Sequence, residues 1–302
     1  MSGQKTNVLN PTLIYTHGGL MSLVKDLSQH SLIAVDTESD SLYSYYPKVC
    51  LIQLTVFADP KDPNPDRVVD YLVDPLRLDS IEALGSLLAS PEIQIVMHAA
   101  ENDILTMQRD FHFQFTNIFD TQLAARILGW KGIGLAAILE REFGVHSNKR
   151  MQRTNWGTRP LTPQQIAYAQ MDTRYLPKLR TILMAELTKK NRLEEAAEAF
   201  QLLAELDYAE RPVNERSFWQ MKIVRKVPRE DRGVLEALWQ WREAEAQRRN
   251  CPPFRVANDA VLGRLASARP TDRKGLLDVN GLSANQVKRY GDQLIATIHQ
   301  GS

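Results

Sequence analysis

The chain has 302 residues, 43% of them hydrophobic and 24% charged, which excludes wholesale disorder and leaves room for one large domain and a smaller one. No run of about 18 apolar residues occurs, and the opening MSGQKTNVLNPTLIY lacks the apolar centre of a signal peptide, so a soluble, cytoplasmic protein with no membrane partner is expected. The formal net charge of +1 hides an asymmetry: residues 211–302 carry 17 Lys or Arg against 10 Asp or Glu, whereas residues 1–210 carry 20 against 26. An acidic front and a basic back suit a site for cations joined to a surface for polyanions, although charge alone reads equally as a solvated exterior. The two cysteines, Cys50 and Cys251, are far apart in sequence and suggest neither a disulfide framework nor a zinc site.

Residues 31–100 read as strands. Leu32-Ile33-Ala34-Val35 is a short apolar run ending at an acidic pair, Val49 to Val56 is rich in β-branched residues, Arg67 to Val73 alternates in part, and Ile93 to Met97 forms another run. Ala58 to Asp66 contains Pro60, Pro63 and Pro65 and reads as a surface turn, which predicts a hairpin or meander. Beyond residue 101 the pattern is helical, with Thr121 to Leu128 stopped by Gly129, and a further helix over 134–143. Thr162-Pro163-Gln164-Gln165 is the clearest helix start, combining an N-cap, a proline in the first turn and a capping box, and the helix is predicted to reach about Thr188. Strands first, then helices, give an α/β layered domain. Residues 189–232 read as a helical connection and a basic linker with Arg225, Lys226, Arg229 and Arg232. A compact helical unit is predicted from Leu235 to about Ile298.

The chemistry sits on carboxylates. Asp36 and Glu38 close the first strand and point the same way, about 7 Å apart along the chain. Two like charges on one face need something positive between them, and hard oxygen donors favour Mg²⁺ or Mn²⁺ over zinc. An isolated pair of this kind is more often an exposed strand end. Tyr168 and Asp172 share a helix face at i, i+4. Asp103, in the first turn after His98-Ala99-Ala100-Glu101-Asn102, would by itself be a residue favoured by the helix dipole.

Together, a strand-borne D-x-E, a strand-to-helix H-x4-D and a helical Y-x3-D resemble the three motifs of the DEDD exonucleases, in the tyrosine-bearing branch. Cys50-Leu51-Ile52-Gln53-Leu54, Phe119-Asp120-Thr121-Gln122-Leu123-Ala124-Ala125 and Trp156 with Arg159-Pro160-Leu161-Thr162 extend the likeness to the ribonuclease D family. Leu235, Leu238, Trp241-Arg242, Pro252-Pro253-Phe254, Arg269-Pro270, Gly281-Leu282 and Arg289-Tyr290-Gly291 are similar to a single HRDC domain. The resemblance implies a ribonuclease H-like mixed sheet flanked by helices over 1–210, a basic linker over 211–230 and a small all-helical bundle over 231–302. It implies a 3′-to-5′ exoribonuclease in which Asp36, Glu38, Asp103 and Asp172 hold two divalent metal ions, Mg²⁺ or Mn²⁺. Tyr168 would orient the nucleophile, and nucleoside 5′-monophosphates would leave. The implied partner is RNA with a free 3′ end, transfer RNA precursors or other structured RNA, acted on by a monomer.

Thr37, Gln53 and His98 are candidates for the terminal nucleotide, although Thr37 and Gln53 equally suit local backbone groups and His98 a structural hydrogen bond. Trp156 suits stacking on a base or, better, the core. The arginines of the linker and the C-terminal part are expected to meet phosphates. Two other readings stand beside this one, a DNA 3′-to-5′ exonuclease and a non-catalytic RNA-binding protein on the same fold. The presence of all four carboxylates with the tyrosine disfavours the second.

Overall fold

The computed structural model describes residues 10–146, 150–208 and 218–302. The chain forms two compact units, Met1–Asp40 with Lys48–Ala209, and Ser41–Pro47 with Glu210–Ser302.

The first unit is built on a mixed six-stranded sheet, as the sequence predicts. In chain order it comprises β1 (Thr12–Ile14), α1 (His17–Leu27), β2 (Leu32–Ser39), β3 (Val49–Phe57), β4 (Val68–Val73), α2 (Gly85–Leu88), β5 (Gln94–Met97), α3 (Glu101–Phe111), β6 (Ile118–Asp120), α4 (Thr121–Ile127), α5 (Leu135–Phe143), α6 (Pro163–Arg174), α7 (Leu176–Lys189) and α8 (Leu193–Ala204). The sheet order is β1-β4-β3-β2-β5-β6. The expected meander is the antiparallel trio β2-β3-β4, and β1, β5 and β6 add parallel strands at its edges.

Alternation along β2 sorts its side chains between two helical layers. Ile33 and Val35 pack with Leu20, Leu23 and Leu27 of α1 and Ile104 and Met107 of α3. Leu32 and Ala34 turn to the other face, against Ala124, Ala125, Leu179, Leu183 and Leu187 of α4 and α7. Both faces of β3 are covered, so all nine of its residues are buried. The same alternation carries Asp36 and Glu38 onto the face of Leu32 and Ala34, at the point where a register shift between Glu38 and Ser39 ends the regular pairing with β3.

The single helix predicted from Thr162 to about Thr188 is two helices meeting at Tyr175. Pro177 explains the break, because it has no N–H for the ladder and its ring would clash with the carbonyl four residues earlier. The N-terminal half follows the prediction in detail: Thr162 accepts from Gln165 N, and the Gln165 side chain accepts from Thr162 N at 3.0 Å. Ahead of it, Trp156 belongs to the core, 1% exposed among Leu51, Leu72, Tyr168 and Ala169. Arg159 anchors this loop by a two-pronged ion pair with Asp74 and by donating to the carbonyls of Trp156 and Cys50. Trp156→Ala is expected to cost about 3–5 kcal/mol, readable as a lowered denaturant midpoint with little change in slope.

In the second unit, α9 (Arg232–Arg248) is surrounded by α10 (Pro253–Val256), α11 (Asp259–Ala268) and α13 (Ala284–Gln300), with α12 (Arg273–Leu277) against α13. Its core joins Leu235, Leu238, Leu262, Leu265 and Leu294 to Tyr45 from Ser41–Pro47. The Tyr45 hydroxyl lies 3.2 Å from Glu243 Oε2, and its backbone N–H donates to Asn250 Oδ1 at 3.1 Å. Of the expected linker over 211–230, residues 211–217 lie outside the described residues, and Phe218, Val224 and Val227 are buried in this core. Several of the arginines form ion pairs within the unit. Arg242 pairs with Asp259, Arg248 with Glu245, Arg269 with Asp231 and Arg273 with Asp292.

Candidate active site

The two motif-bearing ends, β2 and α6, meet at a cleft of about 570 Å³ lined by Asp36, Glu38, Asp103, Tyr168 and Asp172, with Thr37, His98 and Gln152 beside them. Asp36 and Glu38 arrive by strand alternation, and Tyr168 and Asp172 by the i, i+4 spacing of α6. One carboxylate oxygen from each of Asp36, Glu38 and Asp172 lies within 4.8 Å of the others. Asp103 borders this trio without joining it. Its Oδ1 accepts a hydrogen bond from the Oγ1 of Thr37, a residue that itself lines the cleft.

The electrostatics follow from burial and like charge. Burial raises Asp36 well above the usual carboxylate range, and Asp103, Asp172 and Glu38 add to it in that order. Glu38 is pushed up to about 9, first by burial and then by Asp172 and Asp103. Burial also raises Asp172 against the opposing hydrogen bond from Tyr168. Burial raises Asp103 too, with the Thr37 hydrogen bond opposing. Among the described residues no Lys or Arg forms an ion pair with Asp36, Glu38 or Asp172. A set of oxygen donors that repel one another, with no such partner among the described residues, fits a divalent cation. The Tyr168 phenol is raised by burial and then by the Asp172 and Glu38 carboxylates, with a hydrogen bond from Gln152 opposing. It therefore keeps its proton at neutral pH.

His98 and Gln53 occupy different environments. His98 lines the cleft, its Nδ1 2.9 Å from Thr121 Oγ1, and burial lowers it to about 4, so it offers a hydrogen bond and no charge. Gln53 stands opposite Asp36 in the β2–β3 ladder but is completely buried and does not line the cleft. A side chain shut within the sheet cannot reach a nucleotide, so this expectation is corrected.

Two participants escaped the sequence reading. Gln152 sits in a short turn that no apolar period marks. Asp120, 1% exposed, accepts from the N–H groups of Gln122 and Leu123 and, at 2.7 Å, from Ala100 N. That last bond ties the start of α3, and hence Asp103, to α4 across a turn in which Ala99 takes a left-handed φ of 59°. Asp120 stands in the segment quoted for the family resemblance, but its local signal, Asp-Thr before α4, is that of an N-cap and points to no bond with Ala100.

Comparison with known proteins places the chain in a family. The 3′-5′ exonuclease family matches residues 11–188, and the HRDC domain family matches residues 231–298. Ribonuclease D of Gluconacetobacter diazotrophicus is 32% identical over 92% of this chain and 68% of its own length. The crystal structure of Escherichia coli RNase D, described as an exoribonuclease involved in structured RNA processing, has a TM-score of 0.71 at 26% identity, covering 97% of this chain and 75% of that one. The catalytic core of RRP6 from Trypanosoma brucei shares the fold, with a TM-score of 0.78 at 24% identity over 96% of this chain and 79% of that one. With the matched families covering the cleft and the C-terminal helices alike, the chain belongs to the ribonuclease D family of 3′-5′ exonucleases, nuclease hydrolases, and carries an HRDC domain.

Proposed function

We propose that this chain shortens structured RNA from its 3′ end, transfer RNA precursors among its substrates, and releases nucleoside 5′-monophosphates. Asp36, Glu38, Asp103 and Asp172 would hold two divalent ions, Mg²⁺ or Mn²⁺. The observation carrying this reading is the convergence of three carboxylates from β2 and α6 in one cleft, without a Lys or Arg ion-pair partner among the described residues. Such ions, when bound, supply positive charge to the scissile phosphate and lower the pKa of a coordinated water.

The protein's own groups do the rest. Tyr168 stays protonated and is held between Asp172 and Gln152, so it orients the attacking water through a hydrogen bond and does not act as a base. Asp103, fixed by Thr37, adds negative charge beside the trio and sets how firmly cations are held. His98, neutral, suits a hydrogen bond to the terminal nucleotide without attracting phosphate by charge.

Digestion of a 3′-extended structured RNA, with and without Mg²⁺, tests the reading. Stepwise loss from the 3′ end with mononucleotide products, abolished by chelation, is expected. Internal cuts, or full activity in chelator, would refute it. Competing labelled RNA and DNA strands in the same tube decide the polymer.

A further inference from the structure

Tyr168 and Asp172 serve the cleft only if α6 is correctly turned about its own axis. The helix presents three stripes. Tyr168 and Asp172 line the cleft, Ala169 and Thr173 are fully buried, and Gln170 and Arg174 reach towards β4. The last stripe converges on one side chain. Asp70 of β4, 4% exposed, accepts from Gln170 Nε2 at 2.7 Å and from Arg174 Nη1, both on Oδ2. Its Oδ1 accepts from the Thr55 hydroxyl at 2.8 Å. Thr55 is the cross-strand partner of Asp70 on β3, and its oxygen lies 2.7 Å from Thr173 Oγ1. The Thr55 hydroxyl has a single proton, so with that proton given to Asp70 the Thr173 hydroxyl is the donor in the second contact. Three side chains within little more than one turn of α6, those of Gln170, Thr173 and Arg174, thus end, directly or through Thr55, on Asp70.

Resting on the roles given above to Tyr168 and Asp172, we propose that Asp70 is the positioning residue for that pair, locking the roll of α6 and so the spacing of Asp172 from Asp36 and Glu38. Apolar contacts between a helix and a sheet tolerate small rotations, whereas hydrogen bonds weaken steeply with angle. Tyr168 and Ala169 of α6 pack with Leu51, Leu72 and Trp156, while the buried Gln170 and Thr173 are polar and held by hydrogen bonds, which add an angular constraint to that packing. At roughly 5 Å from a helix axis, a roll of about 10° moves a carboxylate by about 1 Å. A displacement of that size is enough to cost about 10²-fold in rate. It also exceeds the roughly 0.2 Å tolerance of metal–ligand distances. Asp70 itself does not line the cleft.

The test is Mn²⁺ binding by Asp70→Asn, followed through the paramagnetic resonance of free Mn²⁺, beside hydrolysis of a labelled oligoribonucleotide at increasing Mn²⁺ and a thermal melt in chelator. Leu187→Ala, a cavity in the fully buried stripe of α7, supplies a destabilised control outside the network. The expected result is a folded Asp70→Asn protein whose Mn²⁺ dissociation constant rises about tenfold or more, while Leu187→Ala binds within about twofold of wild type. Asp70→Asn binding Mn²⁺ as tightly as the control overturns the proposal. Should Asp70→Asn fail to fold, Gln170→Leu removes one donor and is expected to weaken Mn²⁺ several-fold; unchanged binding there also overturns it. Asp172→Asn, run in parallel, separates the two levels. If it retains tight binding and hydrolysis, the site reading falls and the roll lock with it. If it loses both while Asp70→Asn behaves as wild type, the roll lock alone is wrong.

Discussion

Asp36→Ala or Asp172→Ala is expected to reduce RNA hydrolysis at least about 10³-fold, roughly 4 kcal/mol of transition-state stabilisation, while RNA affinity at low salt changes little. The asymmetry has a physical basis. Among the described residues these carboxylates have no Lys or Arg ion-pair partner, so removing one relieves like-charge repulsion. The proteins should therefore fold, and the fold need not be lost for activity to disappear. Combining both substitutions should add little further loss, because groups that act as a unit are not additive. Single-turnover rates with each variant, beside filter binding of the same RNA, check this, and residual activity in a purified double variant would refute the site.

The second large effect concerns stability in the absence of divalent ions. A carboxyl whose folded pKa is raised keeps a proton that the unfolded chain has already released. Its contribution to stability is present below its ordinary value and drains away as pH climbs towards the folded value. For Glu38 that interval runs from 4.5 to about 9, and Asp36 and Asp172 are shifted in the same direction. In chelator, the melting temperature is thus expected to fall as pH rises across that interval and to level off above it. Mg²⁺ or Mn²⁺ at about 100 times its dissociation constant should restore about 2.7 kcal/mol, about 5–10 °C for a domain of this size. The gain should be larger at pH 8 than at pH 6, because fewer protons must be displaced. Differential scanning calorimetry over a millimolar titration reads both, and a melting temperature indifferent to metal and to pH would defeat the account.

What the sequence disclosed, and what it withheld, follows from the range of the interactions involved. β2, β3 and the start of α6 were legible because alternation, β-branching and a capping box are local signals, and Asp36, Glu38, Tyr168 and Asp172 ride on them. β1 and β6 have three residues each, too few to display a period. The break between α6 and α7 was marked by Pro177, which sits where a continuous helix would need both an N–H and open space. Gln170 and Asp70 are 100 residues apart, and no spacing rule links them. Gln53 was misplaced because a strand residue opposite a site residue lies either on the cleft or beneath it, and the helix above decides which.

The seven residues Ser41–Pro47 have a consequence for how proteins of this kind could be recombined. Because Tyr45 completes the hydrophobic interior of the C-terminal helices, those helices are not a severable tail. A chimera that exchanged only the residues after position 210 would leave a tyrosine without its cavity and a cavity without its tyrosine. In this chain any exchange of the module would have to carry Ser41–Pro47, which lie between β2 and β3, along with it.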